Sequence, residues 1–189
     1  MSRKAALVPL LALLGVVGCS SSSSGGGASA TSPATASTPT SSAVVTLVAY
    51  STNDGPTSRV VLTGAIGDYG TADSVHPDGT TDPDHNGQLE LRLSKGSFRL
   101  DIAGLGSRLA QQFQNFPPDR VSCSGVVTAS QQAPIVSGEG TGAYAHLSGS
   151  FRLTVRISEV DRPVHCGPSS AFVAQAVVIS GVGTVTAAG

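Results

Sequence analysis

The sequence predicts an all-β domain of about eight strands with one short helix, preceded by a cleaved export signal and a disordered linker. Three observations carry this expectation. Apolar and polar residues alternate over several short segments, the period of a strand with one buried face. The chain has 23 glycines, no tryptophan and only 3 tyrosines and 5 phenylalanines, with repeated Val, Ile, Leu and Thr runs between turn residues, a composition that favours strands joined by tight turns. Residues 1–42 show neither pattern, so the folded domain is read as residues 43–189, the size of one ordinary domain.

The N-terminal residues fall into the zones of an export signal. Arg3 and Lys4 form a basic start, and Ala5 to Val17 is apolar except for Pro9 and Gly15. A bilayer core needs roughly 20 apolar residues to be spanned; this shorter stretch fits the apolar region of a cleaved signal. It ends in Val16-Val17-Gly18-Cys19, which resembles a bacterial lipobox, with a small residue directly before the cysteine. The resemblance implies cleavage after residue 18, a diacylglyceryl thioether on Cys19, and acyl chains such as palmitate holding the protein to the extracytoplasmic face of the cell membrane. Each buried CH₂ of such chains contributes about 0.8 kcal/mol. Membrane lipid is thus the first expected partner.

After Cys19 the chain runs through Ser20–Ser24 into a stretch of Ser, Gly, Ala, Thr and Pro that reaches residue 42 without a charge. Such a segment cannot bury enough surface to offset the entropy of ordering it. As a coil it spans ~26 Å, from about 5–6 Å × √n. Residues 19–42 are read as lipidated terminus and linker. Without Arg3 and Lys4 the basic residues number 9 against 12 acids, and no run of Lys or Arg occurs. A nucleic-acid partner calls for a concentrated basic stripe, so that class is set aside.

Along the domain, Val44 to Tyr50 and Arg59 to Ile66 read as the first strands. Leu89, Leu91 and Leu93 share one face opposite Glu90 and Arg92. Beyond a turn at Lys95-Gly96, Phe98, Leu100 and Ile102 alternate with Arg99 and Asp101, which makes a hairpin. Ser107 to Phe116 breaks the pattern: Leu109, Phe113 and Phe116 fall at helical spacing, Ser107 can cap, and Pro117-Pro118 stops the run. This helix is expected to plug one end of the β structure. Val121 to Thr128 and Ala133 to Glu139 read as two further strands. Phe151, Leu153, Val155 and Ile157 against Arg152, Thr154, Arg156 and Ser158 give the clearest strand. Ala171 to Thr186, apolar on both faces, is expected between neighbours rather than at an edge.

Two features bear on chemistry. With Cys19 assigned to lipid, Cys123 and Cys166 remain in an extracytoplasmic domain, where disulfides persist; the alternatives are two free thiols or a metal pair, and neither cysteine lies in a CxxC. Asp73 to Gly87 collects Asp73, His76, Asp78, Asp82, Asp84, His85 and Asn86. Within it, Asp82, Asp84 and Asn86, followed by Gly87, look like the start of a calcium loop, with oxygen ligands at alternate positions. Leu93 stands where the closing Glu belongs and Pro83 stiffens the turn, so a plain polar connection is the favoured reading and no cofactor is expected. The charges Glu90, Arg92, Arg99, Asp101, Arg152 and Arg156 read as a solvated outer face with cross-strand ion pairs, rather than as an anion-binding lumen.

The segment Gly138-Glu139-Gly140-Thr141-Gly142-Ala143-Tyr144-Ala145-His146-Leu147-Ser148-Gly149 resembles a glycine-rich turn of the allene oxide cyclase and dirigent-like superfamily. Here Gly140 and Gly142 are expected to supply the positive φ of a tight turn, Tyr144 to pack over the rim, and Gly149 to open the next strand. Ile179-Ser180-Gly181-Val182-Gly183-Thr184-Val185 is similar to the closing strand of such proteins. The resemblance implies an eight-stranded antiparallel barrel with an apolar cavity, often oligomeric. The superfamily's acidic catalytic positions find no match in this chain, and no nucleophile–base motif is present. Three readings follow: a non-enzymatic envelope lipoprotein that binds a lipophilic ligand or envelope partner, a cyclase- or isomerase-like enzyme, and a structural or adhesive surface module.

Overall fold

A computed structural model describes residues 42–52, 57–81, 86–163, 166 and 172–187. Eight antiparallel strands form one sheet that curls into a half-barrel. In chain order they are β1 (Ser42–Ser51), β2 (Thr57–Gly64), β3 (Asp68–Val75), β4 (Gln88–Leu93) and β5 (Gly96–Asp101), then helix α1 (Ala103–Phe113). β6 (Ser124–Pro134), a 3₁₀ turn at Gly142–Tyr144, β7 (Leu147–Asp161) and β8 (Phe172–Ala187) complete the chain. Their order across the sheet is β5-β4-β3-β2-β1-β8-β7-β6. Alternation builds the interior: Val45, Leu47 and Ala49 of β1, Leu89 and Leu91 of β4, and Phe151 and Leu153 of β7 are all buried on the same side.

The expected strand count is right, but two of its members differ. β3 went unread because Asp-Tyr-Gly-Thr-Ala-Asp-Ser-Val has little apolar alternation; it is held between β2 and β4, with Ala72 facing in. Asp73 accordingly sits in a strand, not in a loop. Conversely, the two strands expected around Gln131-Gln132 are one, paired with β7 from Ser124↔Val160 to Pro134↔Ser150. Gln132 stays in the strand with its amide on Ser150 Oγ at 2.6 Å. β6 also starts later than expected, because Asp119 accepts the backbone N–H groups of Val121 and Ser122 and turns the chain there.

α1 begins four residues before Ser107. Asp101, at the end of β5, accepts the Ala103 N–H at 3.1 Å, so the strand's last side chain starts the helix and Ser107 lies inside it. The turn expected at Lys95-Gly96 is a two-residue hairpin, Ser94-Lys95, set by Leu93↔Gly96. β8 is central, between β1 and β7, as expected. Its two apolar faces are not both covered, however: Val173, Val178 and Val182 are exposed.

β5 and β6 are the edges, and no ladder joins them. A single bridge, Leu100↔Ile135, links them at the end of β6. The Val136, Thr141 and Ala143 N–H groups then donate to the carbonyls of Arg99, Ser97 and Lys95 at 2.8–2.9 Å. Along the rest of β6, α1 supplies side chains where a strand would supply backbone. The Gln112 amide donates to Thr128 O at 2.6 Å and accepts from Thr128 N at 3.0 Å, and Arg108 donates to Ser130 O. Covering an edge in this way blocks pairing with another chain.

The turn before β6 brings Cys123 to a Cα–Cα distance of 5.3 Å from Cys166, the separation that a disulfide spans. A bond there closes a loop of 43 residues. Replacing both cysteines with Ser should therefore cost roughly 4 kcal/mol on the loop-entropy model, seen as a lower urea midpoint. A midpoint equal to that of the unreduced wild type would show the thiols to be unbonded.

Candidate functional site

The interior is filled unevenly. At one end Phe98 and Phe151 stack with centroids 6.3 Å apart, and Tyr144 meets Phe98 edge-on at 5.5 Å. The Phe151 ring lies over Gly183, where any Cβ would strike it. At the other end the inward positions of β1, β2 and β3 hold only Ser51, Ser58 and Ser74. Small side chains on three adjacent strands leave a cavity of about 190 Å³. Leu89, Leu153, Val155, Ile157, Val177 and Ile179 form its apolar wall, and Ile102, Leu105 and Leu109 at α1 roof it. Leu105 and Leu109 are four residues apart and so lie on one helix face. No ionisable side chain lines the cavity; its polar groups are the three serines.

The inward face of β7 continues past Ile157 to Glu159 and Asp161, both buried. Gln175, opposite Glu159 on β8, donates to Glu159 Oε2 at 2.6 Å. Asp161 Oδ1 is buried and has no hydrogen-bond partner among the described residues. Burial raises the Glu159 carboxyl above its ordinary range; the hydrogen bond and charge of Asp161 add to this, while the Gln175 amide works against it. Two carboxyls this close resist ionising together. Sequence reading missed them because Ser158-Glu159-Val160-Asp161 looks like the polar end of a strand, and only the inward register reveals their burial.

A second buried polar group closes the aromatic end. Asp68, at the start of β3, accepts N–H groups of Tyr69 at 2.8 Å and of Ser94 and Lys95 at 3.2 Å, with the Ser94 and Tyr144 hydroxyls at 2.5 Å. Burial would raise this carboxyl, but the bonds from Ser94, Tyr144 and the backbone outweigh it and hold Asp68 well below the usual carboxylate range. Burial, with the Asp68 bond and charge, pushes the Tyr144 phenol up. This arrangement explains the glycine-rich turn. Gly142 does take a positive φ, +56°. Gly140 is not among the positive-φ residues; a Cβ there would instead strike the Tyr144 carbonyl, so close approach is what requires glycine. Thr141 ties the turn to β5 through its hydroxyl, 3.0 Å from Ser97 N. Gly149, at φ +129°, lies against Thr184 near the start of β7. Tyr144 is buried within the rim rather than lying over it.

The other sequence candidates scatter. Cys19 and the calcium-loop residues Asp82 and Asp84 lie outside the described residues; Asn86 sits two residues before β4. Asp73 is bonded to Thr57 Oγ1. Asp78 accepts both the N–H and the hydroxyl of Thr80, at 2.9 and 2.6 Å, as a turn residue does. No group of three His, Cys, Asp or Glu gathers among the described residues. Glu90 pairs with Arg92 at 2.6 Å and with Arg99 at 3.3 Å on the outer face. Arg152 and Arg156 also point outward. No family model, curated protein or solved structure matches this chain.

Two outcomes test these sites. Tyr144→Phe removes a buried bond to a charged carboxylate and should cost about 2 kcal/mol, read from chemical denaturation; an unchanged midpoint would deny the clasp. For Glu159, the folded state holds the proton more tightly than the unfolded chain. The stability it contributes is full below its ordinary value of 4.5 and is lost as pH rises through the raised one. Glu159→Gln should flatten the decline in melting temperature above pH 4.5. An identical slope in both proteins would show that Glu159 titrates normally.

Proposed function

We propose that this chain is a membrane-anchored cell-envelope lipoprotein whose half-barrel binds a small lipophilic molecule without transforming it. The observation that carries the reading is the cavity beneath α1. A wall of Leu, Val and Ile side chains rewards apolar surface, and three serines on one side give a hydroxyl or carbonyl an orientation. Apolar cavities of about 150 Å³ stay dry and admit a molecule the size of benzene. The volume here suits one or two rings, or a short branched chain, rather than an extended lipid. The lipobox-like Val16-Val17-Gly18-Cys19 supports the anchor and the extracytoplasmic address.

A cyclase- or isomerase-like activity is favoured by one observation, the Glu159–Asp161 pair. A buried carboxyl that holds its proton more tightly than usual is a candidate general acid. It counts for less than the cavity because the lining itself holds no ionisable group.

Naphthalene and 2-naphthol are suitable probes, each followed by its own fluorescence. Val155→Trp fills the cavity and should weaken both at least tenfold. Ser58→Ala should weaken 2-naphthol severalfold and leave naphthalene unchanged. Failure of the wild type to bind either, or Val155→Trp binding as tightly, would overturn the ligand reading. For the anchor, labelled palmitate should be incorporated through Cys19 and lost in Cys19→Ser; incorporation that survives the substitution would refute the assignment.

A further inference from the structure

The outer faces of β2, β1, β8 and β7 carry an unusual combination of groups. Val44, Val48, Tyr50, Val61, Val178 and Val182 are exposed, and the register sets two pairs of them side by side. Val48 lies opposite Val61, and Tyr50 opposite Val178. The arginines lie in the same rows: Arg59 is opposite Tyr50, Arg156 opposite Val178, and Arg152 opposite Val182. None of these three takes part in an ion pair among the described residues. β1, β2, β6 and β8 contain no Asp or Glu, and the only acids of β7, Glu159 and Asp161, are buried. The face thus mixes exposed valines and Tyr50 with the hydroxyls of Thr46, Ser180 and Thr184, and carries three unneutralised cations.

The outer face of β3, β4 and β5 shows that this is not the general state of the surface. There Arg92 meets Glu90 and Asp73, and Arg99 meets Glu90 and Glu139, at 2.6–3.6 Å. Charges are paired across β3, β4 and β5 and left single across β2 and β7. Exposed valines scattered singly need no explanation, but a contiguous patch does.

We propose that this face docks against an anionic phospholipid surface. The three guanidinium groups offer themselves to phosphates, and the valines between them gain from entering the acyl boundary. Tyr50 has the apolar ring and polar tip that suit that depth. A second copy of the chain would set arginines against arginines, which disfavours self-association through this face. The choice of lipid over an acidic protein rests on the anchored reading. On the linker read from the sequence, a coil of that length reaches ~26 Å from the bilayer, and β1, where the described residues begin, carries Val44 of the patch.

The test uses the chain from Ser20 onward, which keeps every described residue and removes the apolar signal. Vesicles of phosphatidylcholine are compared with an equal mixture of phosphatidylcholine and phosphatidylglycerol by co-sedimentation. The wild type should bind the anionic vesicles much more tightly than the neutral ones, and added salt should weaken it. Arg59→Gln, Arg152→Gln and Arg156→Gln should each lose on the order of fivefold, and the triple variant roughly a hundredfold. Val48→Ser with Val182→Ser should also weaken binding, with urea midpoints unchanged in all variants. Equal binding to both vesicles, or none, overturns the proposal. So does binding to soluble heparin that matches the vesicles and ignores the valine changes, which would mark a polyanion site, or dimerisation through this face seen by light scattering. Because the Ser20 chain carries no Cys19, failure here leaves the palmitate result, and with it the anchor, untouched.

Discussion

A curled sheet of eight strands has two edges, and most of this structure follows from how β5 and β6 are brought together without a ladder. Unpaired backbone at an edge must find partners or water. Here the bridge Leu100↔Ile135, the Val136 N–H on Arg99 and two backbone bonds from the Gly142 turn serve one end. Gln112 and Arg108 of α1 serve the other. The same helix therefore covers an edge and roofs the cavity, because its polar face reaches β6 while Leu105 and Leu109 turn inward. Any molecule that enters the cavity through this roof must act on side chains that also hold the seam.

The two ends of the interior solve opposite problems. At the rim, five hydrogen bonds converge on Asp68, and the rings of Phe98, Phe151 and Tyr144 pack against one another; Gly183 is bare so that Phe151 can lie flat. At the α1 end, three serines take the places where larger residues would close the core. Serine side chains fill an apolar space poorly, and their hydroxyls are placed where a ligand's polar group would be oriented. The Glu159–Asp161 pair beyond them has the same character: buried charge capacity with one amide donor, stable while it holds a proton.

The outer surface divides along the sheet. Where carboxylates are present, on β3 and β4, arginines are tied to them. Glu90, Asp73 and Arg99 are largely covered in these pairs, and one consequence of the pairing is to leave that side neutral. Across β1 and β8 there is nothing to tie the arginines, and the exposed valines lie between them. Both arrangements come from the same alternation that builds the core, since each inward apolar residue fixes the direction of its two neighbours.

Strands β4, β5, β7 and β8, a hairpin between β4 and β5 (expected one residue later than it lies), the central place of β8 and the outward direction of the charged residues could be read from the sequence alone. A period of two is a local property that survives any rearrangement of neighbours. β3 and the unbroken β6 could not be so read, because a polar strand exists only where two partners pair with it. The helix start also escaped, since Asp101, at the end of a strand, accepts the first helical N–H. Only tertiary structure could decide the cavity, the Glu159–Asp161 pair and the bonds onto Asp68. Each depends on side chains from strands distant in sequence meeting across the interior, and no local pattern records which of them are too small to touch.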